Sequence, residues 1–74
     1  MQTYANLGGN SNVRAYEIFD DGIRVRFNDG SVYVYTDASA GEYNIECMKA
    51  CAERGYGLNG YINRNCRFGY AYKE

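Results

Sequence analysis

The chain has 74 residues, 46% of them hydrophobic and 23% charged, with a formal net charge of −1. That composition is too apolar for a disordered tail, and the length suffices for one domain around one modest core, which excludes a second domain. The near-neutral balance excludes a global positive field that would draw in phosphate backbones, so any nucleic-acid binding must come from local arrangement.

Residues 1–12 contain the run Leu7-Gly8-Gly9-Asn10-Ser11-Asn12, turn formers without period, and read as a loose N-terminal lead to a single domain over 13–74. Val13 to Phe19 is the first predicted strand, closed by the turn Asp20-Asp21-Gly22. From Ile23 the alternation of Ile23, Val25 and Phe27 with Arg24 and Arg26 predicts a second strand, and Val32 to Tyr35 a third, joined at Asn28-Asp29-Gly30. A two-residue loop at Asp29-Gly30 pairs Phe27 with Val32, Arg26 with Tyr33, Val25 with Val34 and Arg24 with Tyr35. A loop at Asp21-Gly22 likewise sets Glu17 opposite Arg26, with Tyr16 and Ile18 on the core face. The expected sheet is therefore a meander whose outer side carries a row of Glu17, Arg26 and Tyr33.

After Tyr35 the period lengthens. Ser39 followed by Glu42 has capping-box spacing and predicts a helix from about Ala40. On it, Glu42, Glu46, Lys49 and Glu53 share one side, while Tyr43, Cys47, Met48, Cys51 and Ala52 spread over the other. Gly55 is placed to stop this helix in a left-handed cap. Leu58, Tyr61 and Ile62 then recur at helical spacing over Leu58 to Asn63, a short second helix. In the tail, Phe68, Tyr70 and Tyr72 alternate, which suits either a fourth strand or a frayed end. The fold class is thus α+β: a three-stranded antiparallel meander, open to a fourth strand, with one amphipathic helix on one face and a short second helix.

The order of these motifs resembles the KTSC domain family, small domains found at the C-terminus of some lysyl-tRNA synthetases and as free-standing bacterial or phage proteins. Tyr33-Val34-Tyr35, after Val25-Arg26-Phe27-Asn28-Asp29-Gly30, is similar to the family's central tyrosine pattern, and Ser11 with Val13 to its opening pair. Tyr43 falls where the family's helix has an aromatic residue, and Gly55, Leu58, Asn59 and Ile62 resemble its closing run. Ser39 stands where the family tends to have proline, and Gly57 where an aromatic is expected. The resemblance covers roughly residues 11 to 64 and implies a binding domain for which RNA has been suggested as ligand. No catalytic residue comes with it.

Six of the basic residues are arginines, and nine tyrosines in so short a chain are a compositional excess. Tyrosine has an apolar body and a polar tip that suit half-wet interfaces, and arginine stacks on rings and forks onto phosphates. The first candidate surface is therefore Arg24, Arg26, Tyr33 and Tyr35 on the sheet, where rings stack unpaired bases and guanidiniums reach phosphate. The same residues also satisfy one another across strands without any ligand, and they equally suit a protein interface. A lesser candidate is the segment around Asn59, Asn63, Arg64 and Arg67. Cys47, Cys51 and Cys66 read as buried free thiols of a cytoplasmic protein, because zinc wants a fourth ligand and the chain has no histidine. Asp20, Asp21, Asp29 and Asp37 sit at turns, where aspartate bonds nearby amides. The expectation is a soluble, non-enzymatic binding module without cofactor or membrane contact. Its partner is RNA or another nucleic acid, or alternatively a host protein assembly bound by a phage or mobile-element accessory factor.

Overall fold

A computed structural model describes all residues from Met1 to Glu74. Five antiparallel strands run as a meander in the spatial order β1-β2-β3-β4-β5, with the helices between β4 and β5. The strands are β1 (Gln2–Thr3), β2 (Val13–Phe19), β3 (Gly22–Phe27), β4 (Val32–Thr36) and β5 (Tyr70–Lys73). The α+β class stands, but the sheet has five strands, not three or four. The tail supplies β5, and the segment read as a loose lead supplies β1. The two residues of β1 pair with Ala15 and Tyr16, and Tyr4 beside them is buried, its hydroxyl accepting from the Leu58 N–H at 3.3 Å. Two residues are too short for any period to announce them; only the neighbouring strand defines them.

Both meander turns depart from the predicted register. At the first, Phe19 pairs with Gly22 and Ile18 with Ile23, a shift of two residues from the expected pairing. Side chains alternate with period two, so Tyr16 stays on the core face and Glu17 stays outside. Ile18, expected in the core, lies at the strand end beyond the helices' cover and is 37% exposed. At the second, the loop is Asn28-Asp29-Gly30: the Gly30 N–H donates to the Phe27 carbonyl at 3.0 Å and the Phe27 N–H to the Ser31 carbonyl at 2.8 Å. Gly30 has φ 89°, the left-handed position that ends a three-residue hairpin loop. Asp29 stabilises the turn by accepting from both the N–H and the hydroxyl of Ser31, at 2.9 and 2.6 Å. The extra loop residue moves β4 by one, pairing Val25 with Tyr33, Ile23 with Tyr35, Arg24 with Val34 and Arg26 with Val32. A one-residue slip exchanges the faces of a strand. The tyrosines of β4 therefore turn toward the helices and its valines turn away from them.

The helical layer begins earlier than predicted. Thr36, not Ser39, is the N-cap: its hydroxyl accepts from the Ser39 N–H and the Ser39 hydroxyl accepts from the Thr36 N–H, closing a capping box around the four-residue α1 (Asp37–Ala40). Gly41 breaks the path before α2 (Glu42–Arg54). Ile45, Met48, Cys51 and Ala52 are its buried stripe, and Tyr43, expected inside, is 78% exposed. Gly55 caps α2 with φ 76°, and a Cβ there would meet Ala5 Cβ at 2.5 Å, so both backbone angle and space require glycine. The predicted second helix is α3 (Leu58–Tyr61), prolonged by one π-helical turn over Ile62–Cys66. One core cluster joins these helices to the inner side of the sheet, with Ile23, Val25, Ile45, Met48 and Leu58 fully buried. Each such side chain stabilises the fold by roughly 1.5–3 kcal/mol. No helix is long and apolar enough to cross a membrane.

Candidate functional site

The new register separates the residues expected to form one surface. Arg24 and Arg26 are on the outer side of the sheet, opposite Val34 and Val32. Arg24 donates through Nε and Nη2 to Glu74 Oε2 at 3.1 and 2.9 Å, and through Nη1 to Glu17. Those hydrogen bonds, Glu74's first and Glu17's second, hold the guanidinium proton more tightly than usual. Glu17 belongs to β2 and Glu74 follows β5, so the clasp spans the strand that carries Val34, which is 1% exposed. The outer side thus carries a ladder of satisfied partners, with Arg26 exposed beside it.

Tyr33 and Tyr35 instead join a cavity of about 360 Å³ on the inner side, between the sheet edge and the segment after α3. Four rings are in contact there. Tyr33 stands edge-on to Phe27 (centroids 5.6 Å apart) and to Tyr70 (4.9 Å), and Tyr35 edge-on to Tyr70 (6.4 Å). Such edge-to-face pairs contribute about 0.5–1.5 kcal/mol beyond their buried area. Tyr35 is 2% exposed and belongs to the floor; burial pushes its hydroxyl pKa well above the ordinary tyrosine range. Tyr33 is half-buried, with Lys73 Nζ 5.4 Å from its ring centroid.

The opposite wall comes from the helices: Ile62 below, and Asn59 and Asn63 four residues apart. Arg67 and Phe68, between the π-turn and β5, complete the rim, with the Arg67 guanidinium 5.6 Å from the Phe68 ring centroid. Phe68 is 83% exposed, the most exposed large hydrophobic side chain of the molecule. Asp29 and Ser31 close the turn end. The Asp29 carboxyl is held below its usual range by the hydrogen bonds from Ser31, so its charge is committed to the turn.

Asn59 also lines a second cleft of about 420 Å³ on its other side, with Asn6, Asn10, Ser11, Gly57 and Arg64. Of the predicted residues, Tyr33, Tyr35, Asn59, Asn63 and Arg67 therefore meet in one groove, Arg64 lies next to it, and Arg24 and Arg26 are elsewhere. Phe68 and Tyr70 escaped sequence reasoning as site residues. Their signal was the Arg67-Phe68-Gly69-Tyr70 run, a cation and an aromatic beside a glycine after a helix, in a stretch from Gly55 to Lys73 without any carboxylate.

A third hollow, at the β1 edge, is lined by Met1, Gln2, Tyr16, Glu17, Ile18 and Glu53, with two carboxylates and no cationic side chain. The cysteines are unpaired: Cys51 and Cys66 are buried and Cys47 half-buried. Burial, and then the neighbouring Cys47, push the Cys66 thiol up. No three His, Cys, Asp or Glu side chains group as metal ligands. No family model, curated protein or solved structure matches this chain.

Proposed function

We propose that the protein is a small, non-enzymatic binding module that takes the unpaired bases of single-stranded RNA in the groove framed by Tyr33, Tyr70 and Phe68. The observation that carries this reading is Phe68, a phenyl ring left 83% exposed beside a guanidinium that no carboxylate neutralises. A ring in that setting stacks on a base of any identity, and the adjacent cation adds attraction for the phosphate backbone. Asn59 and Asn63 offer both donors and acceptors to base edges. The resemblance to KTSC domains, for which RNA has been suggested, supports the same choice. A cytoplasmic location belongs to the reading, since three unpaired thiols stay reduced there.

The test is a fluorescence-anisotropy titration with short single-stranded RNA, comparing wild type with Phe68→Ala. Stacking predicts a roughly tenfold weaker complex, since each stacked base contributes about 1–3 kcal/mol. Log affinity should fall linearly with log salt. Absence of binding at low salt removes RNA, and a protein partner that binds with weak salt dependence through Phe68 replaces it. Tyr35→Ala is unsuitable as a probe, because it opens the core.

A further inference from the structure

Two clefts of different chemistry share one wall. The groove on one side of Asn59 is aromatic, with Phe27, Tyr33, Tyr70 and Phe68. The cleft on the other side is more polar, and Arg64 is its single charged residue, among Asn6, Asn10, Ser11, glycine backbone and the two tyrosines Tyr4 and Tyr56. The guanidinium is seated in it: Nη1 lies 3.0 Å from where a Cβ on Gly60 would stand, so the absence of a side chain there gives the arginine its place. It is also unneutralised. The carboxylate pairs of the molecule use Arg24 and Lys49, and Arg54 donates to Cys51 and to the Tyr56 carbonyl. Arg14 and Arg26 are unpaired too, but neither lines a cleft.

We infer that this cleft is a phosphate subsite continuous with the groove, so that a nucleic-acid strand crosses Asn59 with a base on the aromatic side and a neighbouring phosphate on Arg64. The inference rests on the RNA reading above and adds to it a second contact, a direction across the surface and a ligand requirement. A phosphate flanking the stacked base is needed for full affinity. A guanidinium suits that role because its planar fork meets two phosphate oxygens at once, and such charge-assisted bonds are about twice as strong as neutral ones. The neutral amides and hydroxyl around it supply further donors without adding a repelling charge.

The experiment titrates a single-stranded uridine pentanucleotide over a salt series into wild type, Arg64→Ala, Arg14→Ala and Phe68→Ala. Arg14 and Arg64 are both exposed, so neither change threatens the fold, which circular dichroism checks. Arg64→Ala is expected to weaken binding roughly tenfold at low salt, the loss of one charge-assisted contact. It should also make the slope of log affinity against log salt shallower by about 0.7, the value for one phosphate of a single strand. Arg14→Ala should change neither. If Arg64→Ala keeps wild-type affinity and slope while Phe68→Ala still weakens binding, RNA occupies the groove without reaching the cleft, and the subsite is wrong while the RNA reading survives. Equal losses from Arg14→Ala and Arg64→Ala mean diffuse attraction and also overturn the subsite. No binding by wild type at low salt removes the RNA reading and the subsite with it.

Discussion

The two sides of this sheet use the same residue types in opposite ways. Outside, Arg24 is held by Glu74 and Glu17 across a strand whose valines are buried, while Arg26 beside it is exposed and unpaired. Inside, Arg67 at the rim of the groove and Arg64 in the adjoining cleft have no carboxylate, and Phe68 has almost no cover. A paired guanidinium over buried aliphatics is accounted for by the fold alone. An unpaired guanidinium beside an exposed ring is left for something outside the chain.

Four measurements sharpen that contrast. The largest effect is expected inside the core: Tyr35→Ala should destabilise by about 3–5 kcal/mol, the range for removing a buried aromatic. Urea denaturation reads it, and a loss below about 1 kcal/mol would contradict the inward-facing register. Phe68→Ala, on the exposed rim of the same groove, should leave the midpoint unchanged within about 0.5 kcal/mol. Its roughly tenfold cost appears only in RNA binding.

Alkaline pH gives the next effect. Tyr35 and Cys66 have folded-state pKa values raised above their ordinary 10.0 and 9.0, chiefly by burial. Raised values favour the neutral forms in the folded state, so their stabilisation is whole below pH 9 and is lost as pH rises beyond it, first through the thiol and then through the phenol. Thermal midpoints measured from pH 7 to 11 should fall above pH 9, and Cys66→Ala should delay the onset. A flat profile to pH 11 would mean that both groups ionise freely in the folded protein.

The smallest effect belongs to the outer clasp. Arg24→Gln should lower the denaturation midpoint slightly at low salt and not at high salt, because exposed ion pairs are screened. Arg26→Gln, which breaks no pair, should be silent in both. If Arg26→Gln proves the more costly, the outer row runs through Arg26 as the simple two-residue turn predicts.

That turn shows how much was legible beforehand. The hairpin, the long helix, the left-handed cap at Gly55 and the short helix after Gly57 all follow from period and turn chemistry. The candidate surface depended on a single loop residue. Asn28-Asp29-Gly30 suits a two-residue loop and a three-residue loop equally well, and the two differ by one position of β4. At the first turn the register differs by two positions, which leaves each side chain on its own face but gives Glu17 the partner Arg24 in place of Arg26. At the second turn a slip of one carried Tyr33 and Tyr35 from the arginine side to the helix side.

Local sequence therefore determined which segments are strands and helices, because hydrophobic period and capping residues act over a few neighbours. Tertiary structure alone decided the loop length at Asn28, the pairing of the two-residue β1, and the meeting of Tyr33, Asn59 and Phe68 around one groove. Those three outcomes depend on contacts between distant segments. The helices offer β4 a buried face for its large rings, and the choice of face follows from that packing, which no short stretch of the chain contains.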